Sequence, residues 1–404
     1  MSDLKSEALK WVEKLKDEIL GISEFLYENP ELGSEEFKAC ELLTSILEKH
    51  GFKVEREFMN MKTSFKASFK GQGDKPKIAF LAEYDALPEI GHGCGHNIIA
   101  ATTVGAAIAI SKVLPKMNGE VIVIGTPAEE GRGPYGGSKV IMAEKGAFKD
   151  IDVVLTMHPL SGGKAGCRHG ALAVQSFKIV FKGKTAHASA APHLGINALN
   201  AVMLMFHGID CLRQHIRKDG RIHGIIVKGG EAANVIPDYS EATITVRAAD
   251  LKYLNELKEK VFNCAKGAAL MTGAKVEIEP LMPLYREKVI YETLAEILER
   301  NLEKEGFKLV DPIEIIKIGP LASTDFGNVT QVVPAISAGI PIIEKRISLH
   351  TREFAEATIS EKGKEATIKS TRVLVETAMD LYLNPELLKK VKEEYMRKVR
   401  RSGS

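Results

Sequence analysis

Three runs of apolar residues in this chain are nearly unbroken, and they limit its fold more than any other feature. KIAFLA, VIVIG and VVLTM carry hardly a polar side chain, where a strand with one wet face would alternate. Such runs suit strands of a parallel sheet covered on both faces. A helix of small and apolar residues, NIIAATTVGAAIAISKVL, separates the first two, which gives the strand–helix–strand order of an α/β protein. Each run also ends in residues able to do chemistry. Glu83-Tyr84-Asp85 follows the first, with GHGCGHN soon after; Glu129-Glu130 follows the second, and His158 ends the third. Ligands of doubly wound sheets gather at the carboxyl ends of the strands, so these groups should share one edge.

Around this block the periodicity predicts helices. Leu4, Ala8, Trp11, Leu15, Ile19, Ile22 and Phe25 make one apolar face of an opening helix, stopped before Asn29-Pro30. A second helix, over Ser34–Lys49, ends at His50-Gly51, and Asn97 is expected to cap the small-residue helix. From Ala173 the order becomes strand (AVQSFKIVFKG), helix (INALNAVMLMFHGIDCLRQHI), strand (IHGIIVKGG), strand (EATITVRAA), helix (LKYLNELKEKVFNCAKGAALM), strand (AKVEIEP). That is the βαββαβ order of a ferredoxin-like module. The first block resumes with a helix near Tyr291–Lys304, a strand at AISAG and a helix near Glu365–Leu383. The expectation is a discontinuous catalytic domain over residues 1–169 and 286–404, with a second domain inserted over 170–285. The charged tail KKVKEEYMRKVRR reads as a solvated helix.

Composition excludes several classes of partner. The 404 residues suffice for two cores, and 55 basic against 53 acidic residues leave a formal net charge of +2. With no basic stripe interleaved with aromatics, nucleic acid is not expected. No apolar run approaches the ~20 residues of a membrane span. The acidic start, MSDLKSEALKWVEKLKDEIL, lacks the apolar centre of a signal peptide. Five cysteines with no C-x-x-C pair argue against a disulfide framework and for a reducing, cytoplasmic setting.

One sheet edge thus collects Cys94, His96, Glu129, Glu130, His158 and, after AISAG, His350 of SLHTREF. Sulfur, nitrogen and oxygen donors together suit a borderline-soft divalent metal. Each residue alone has a plainer reading: a core cysteine, a surface Glu-Glu pair, a hydrogen-bonded histidine. Those readings weaken together, because every group falls at a strand end on the same edge. The adjacent glutamates suit a division of labour, since successive side chains at a fraying strand end point opposite ways. One can ligate while its neighbour takes a proton from a metal-bound water of pKa near ~7 and passes it to a leaving amine. Two alternatives remain open at this point. Cys94 could be a nucleophile with His96 or His92 as base, which leaves the other strand-end groups idle. Or the chain could be a non-catalytic ligand-binding protein on the same fold.

LYENPELGSEEF, LAEYDALP, GHGCGHN, TPAEEG, GKTAHAS, NVIPDYSEATITVRAAD, STDFGNVT and LHTREF together resemble the aminoacylase and carboxypeptidase family of two-metal peptidases. The similarity is greatest to its amidohydrolase branch, which holds p-aminobenzoyl-glutamate hydrolases and aminoacylase-like dipeptidases, and it runs in order over nearly the whole chain. It implies a zinc-peptidase-like catalytic domain with a mixed, mainly parallel sheet, and a ferredoxin-like lid that also mediates dimerisation. It implies two divalent ions per protomer, zinc or manganese with cobalt acceptable, held by Cys94, His96, Glu130, His158 and His350. Glu129 would be general base and then acid, and Asp85 would orient a ligand imidazole. His187 would stabilise the oxyanion, commonly in the partner's active site, while Asn234 and Arg247 would hold substrate. LASTDFGNVTQ would line the pocket. The reaction implied is hydrolysis of amide bonds in dipeptides or small N-acyl amino acids.

The chain departs from many relatives at two points. Glu83 stands where they have a metal-binding histidine, a job His96 would take over, and Cys94 replaces the carboxylate that usually bridges the metals. Others of the branch have aspartate where this chain has Asn97. His92 is left without a role.

Overall fold

β1 (Lys53–Arg56) and β2 (Phe65–Lys70) lead into the three apolar runs, which form β3 (Lys77–Ala82), β4 (Glu120–Gly125) and β5 (Val153–Ser161). The computed structural model describes residues 2–311, 313–315 and 322–402. With β10 (Ala335–Ile343) these strands make a six-stranded sheet in the order β1-β2-β4-β3-β5-β10. β4, β3, β5 and β10 run parallel, and β2 joins β4 antiparallel, so the sheet is mixed and mainly parallel. Every residue of β4 is buried, as its unbroken apolar run requires. The small-residue helix, His96–Ser111, is buried at all of its positions. Its lack of bulk permits this: a Cβ at Gly105 would lie 2.6 Å from Ile19 Cγ1.

Two compact units divide the chain. Unit 1 comprises Met1–Gly170, Val289–Gly319 and Asn328–Ser404, and unit 2 comprises Ala171–Lys288 and Pro320–Gly327. Unit 2 carries β6 (Ala173–Lys182), the helix Ala198–Leu212, β7 (Arg221–Lys228), β8 (Tyr239–Ala248), the helix Leu251–Thr272 and β9 (Lys275–Pro280). Its antiparallel sheet has the order β7-β8-β6-β9, that of a ferredoxin-like module. Both helices pack against β6 and β8 through Val202, Met205, Leu254, Leu257 and Val261.

Some local expectations are corrected. The opening helix is two, Ser2–Lys14 and Lys16–Glu28, broken at Leu15. The next begins at Phe37 and not Ser34, because Ser34 is left-handed (φ +71°) and Glu36 turns its carboxylate inward. Gly95, not Asn97, precedes the small-residue helix; Asn97 is buried and donates from Nδ2 to Ser23 Oγ and Thr358 Oγ1, both at 3.0 Å. The tail helix Pro385–Ser402 is anchored, not merely solvated: Leu388 and Val391 are buried, and Glu394 accepts the backbone N–H of Glu292 (2.8 Å) and of Thr293 (3.0 Å).

Candidate metal centre

The turn 91–95 brings a thiol and an imidazole to the end of β3. Glycine is required there: a Cβ on Gly95 would sit 2.3 Å from Pro159 Cγ, with φ at +80° besides, and one on Gly93 would sit 2.6 Å from Ile90 Cγ2. Gly93 O accepts the His350 N–H at 2.8 Å, which ties this turn to the segment carrying the last predicted donor. Cys94 Sγ lies 3.4 Å from His158 Nε2. Cys94, His96 and His158 form one triad whose donor atoms lie within 4.8 Å of one another, Cys94, Glu130 and His350 a second, and His96, Glu129 and Glu130 a third. The five residues expected as ligands are thus together, with Cys94 common to two triads.

Asp85 fixes the orientation of this cluster. Its Oδ1 accepts from His96 Nδ1 at 2.8 Å, and its Oδ2 accepts the Glu130 N–H at 3.0 Å. One carboxylate therefore aims an imidazole and anchors the backbone of the glutamate pair. With Nδ1 engaged, His96 turns Nε2 inward, 3.5 Å from Glu83 Oε2 and 4.0 Å from Glu129 Oε2. Nε2 is buried with no hydrogen-bond partner among the described residues, and so is Glu130 Oε1, which stands 3.4 Å from His350 Nε2. Buried polar atoms left without a partner are costly, and cations bound at them relieve that cost. The donors present fit a metal site.

The local electrostatics agree. Burial raises the Glu83 and Asp85 carboxyls, but Lys139 for the first and His96 for the second outweigh it, so both stay ionised. Burial opposes charge on His96, yet Asp85 holds its pKa well above the usual range. Burial pushes His158 down to about 4, leaving a neutral imidazole suited to ligation. The Cys94 thiol is pushed up to about 12 by burial. A nucleophilic cysteine needs a depressed pKa, whereas a ligand cysteine loses its proton to the metal. Burial also drives His92 down to about 3, so it stays neutral.

The glutamate pair is not at a strand end, contrary to expectation. β4 stops at Gly125, and Glu129-Glu130 occupies a turn entered through Ala128, itself left-handed (φ +55°). Conformation of that turn, not strand alternation, separates the two side chains. Glu36, completely buried, accepts the Ala128 N–H at Oε1 and the Thr63 hydroxyl at Oε2, both at 2.8 Å. Burial first, then the charge of Asp85, raises the Glu36 carboxyl to about 7. Sequence reasoning also missed Lys139, a fully buried lysine whose Nζ lies 2.9 Å from Glu83 Oε1. In GGSKVIMAEKG nothing marks it apart from a surface lysine.

Unit 2 holds the remaining candidates. His187 and Val235 form an antiparallel bridge, and Ala188 N–H donates to Asn234 O at 2.9 Å, so the His187 and Asn234 segments are neighbours. His187 Nδ1 accepts the Ser189 and Ala190 N–H groups at 3.3 and 3.2 Å, which leaves Nε2 as the free donor. Arg247, on β8, donates from Nη1 to Ser323 Oγ at 2.7 Å, so it and the STDFG segment meet. Leu321, first residue of the LASTDFGNVTQ stretch, lies outside the described residues.

Known proteins are similar to this chain in sequence and fold. The peptidase dimerisation domain of the M20 family matches residues 172–270. Mouse Xaa-Arg dipeptidase is 35% identical over 405 residues, covering 97% of this chain and 92% of that protein. One of the chains of Escherichia coli p-aminobenzoyl-glutamate hydrolase is 30% identical over 447 residues, covering 93% of this chain and 91% of that one. The fold matches that of a Bacillus subtilis dinuclear metal-binding peptidase of the M20 family with a TM-score of 0.69, at 21% identity, over 92% of this chain and 99% of the other.

Proposed function

This chain belongs to the M20 family of metal-dependent peptidases and amide hydrolases, and we propose that it cleaves dipeptides or small N-acyl amino acids with Glu129 as the proton carrier. The single observation that carries this reading is the pair of donor triads sharing Cys94, with Glu129 beside them. Cys94, His96 and His158 would hold one divalent ion, and Cys94, Glu130 and His350 the other. A thiolate common to both triads favours zinc, while the oxygen and nitrogen donors would accept manganese or cobalt. Such ions, when bound, supply Lewis acidity at the amide carbonyl and make water a better nucleophile near neutral pH.

The residues of this chain do the rest. Asp85 keeps His96 in the tautomer that offers Nε2. Glu129 takes the proton of the attacking water and returns it to the departing amine, a part that needs a carboxylate beside the cluster. Its Oε2 lies 4.0 Å from His96 Nε2. His187 Nε2–H donates to the oxyanion, and Asn234 and Arg247 hold the substrate, Arg247 through its carboxylate. The dimerisation-domain match supports a homodimer built through unit 2.

Hydrolysis of a panel of dipeptides and N-acyl amino acids, before and after stripping and restoring zinc, manganese or cobalt, tests the reading. The name of the mouse relative puts dipeptides with C-terminal arginine in that panel. Activity should vanish on stripping and return with metal. Turnover that survives complete removal of metal would sink the proposal.

A further inference from the structure

The NPELGSEEF segment takes no part in the chemistry above, yet it touches the backbone of both loops that carry it. Glu31 O accepts the Ala86 N–H at 2.8 Å, next to Asp85. Gly33 packs against Ala128 so closely that a Cβ would sit 3.1 Å from its Cα. Ser34 Oγ donates to Arg132 O and accepts the Tyr135 N–H, each at 3.0 Å. Glu36 completes the contact by accepting the Ala128 N–H at 2.8 Å, with its second oxygen held by Thr63.

Ala128 needs such a hold. A residue with a Cβ adopts φ near +55° only where its surroundings impose it. The two peptide units that follow carry Glu129, 4.0 Å from His96, and Glu130, 3.4 Å from His350. If Ala128 relaxed to negative φ, the direction of the chain at Glu129 would change first.

We propose that Glu36 is a positioning residue for amide hydrolysis: its carboxylate pins the left-handed Ala128 and so sets where Glu129 stands relative to the metal ligands. The inference rests on the reading of Glu129 as the base. It assigns Glu36 no contact with substrate and no proton transfer. Glutamine at this position keeps an oxygen for the Ala128 N–H, and the Thr63 hydroxyl can turn to accept from the amide. Alanine removes the hold altogether.

The experiment is a cycle of Glu36→Ala, Glu129→Gln and the double variant in the metal-loaded full chain, with kcat, KM and bound metal measured for each. Glu36→Ala should lower kcat about 10–100-fold, the scale of a displaced catalytic group, with KM and metal content unchanged. Glu36→Gln should recover most of that loss. In the Glu129→Gln background, Glu36→Ala should cost nothing further, because the group it positions is gone. Additive losses, or a Glu36→Ala enzyme with full kcat, would overturn the positioning role while leaving Glu129 as base. Full activity of Glu129→Gln alone would overturn the base assignment instead. Should Glu36→Ala not fold, Thr63→Val, which frees one oxygen of the same carboxylate, enters the cycle with a smaller expected loss and the same criteria.

Discussion

The two sheets of this chain bury different numbers of faces, and their candidate residues differ accordingly. β4 in unit 1 is buried at every position, whereas β8 in unit 2 alternates between buried and half-buried throughout. In unit 1, the predicted donors other than His158, which lies within β5, stand beyond the strands, and there buried side chains grip the backbone: Asp85 on Glu130 and Glu36 on Ala128. In unit 2, Arg247 sits within a strand on the open face of its sheet, and His187 is held by two amides of its own exposed loop. A metal centre needs donors held within a few tenths of an ångström, and burial supplies that. Substrate-binding groups must be reachable, and a sheet with one open face provides them.

The sharpest break of this comparison is Glu129→Gln. If Glu129 carries the proton and ligates no metal, the amide should leave the ligands in place and remove proton transfer alone. We expect kcat to fall about 10²–10⁴-fold, the usual worth of a general base, with both metals still bound. Loss of metal alongside activity would show that Glu129 is a ligand and that the ligand set is larger than stated.

The grip on Ala128 can be tested through pH. The Glu36 carboxyl is raised from 4.5 to about 7 in the folded chain, so between those values the native state holds a proton that the unfolded state has lost. The contribution of this group to stability is complete below pH 4.5 and declines as pH rises through 7, by about 3 kcal/mol in all. Denaturant unfolding of the wild-type chain and Glu36→Gln, compared from pH 4.5 to 8, should show the wild type losing ground by about that amount. A difference independent of pH would mean that Glu36 is ionised and fully satisfied, with no penalty for its burial.

What the sequence made legible follows the same division. β3, β4 and β5 stood out because burial on both faces leaves an unbroken apolar run, and the unit 2 module because its elements alternate in a known order. Cys94, His96 and His158 were legible because each lies within three residues of a glycine turn or in a strand. The turn at Ala128 was not, since the residue imposing it lies 92 positions away. Lys139 escaped for the same reason: Glu83, its partner, lies on another element, and no local pattern marks a buried lysine. Asn97 misled because its type suits a cap, while its side chain serves the packing of two distant helices.

The smallest effect expected on the metal centre, and the largest on assembly, comes from β7. This edge strand pairs only with β8 among the described residues and exposes Ile225, Ile226 and Val227 at 64%, 44% and 53%. An exposed apolar edge is a hazard in a monomer, and a symmetric pairing of two copies would cover it. Ile225 and Val227 are both exposed on this edge, so Ile225→Lys with Val227→Lys sets four like charges across a two-fold pairing. Sedimentation should then shift from twice the 44.2 kDa chain mass to a single chain at micromolar concentration, with metal content unchanged. If His187 serves the partner's site, hydrolysis should fall with the dimer; if it serves its own, the monomer should keep its rate. A variant that still sediments as a dimer would place the interface elsewhere, and the open edge of β7 would need another explanation.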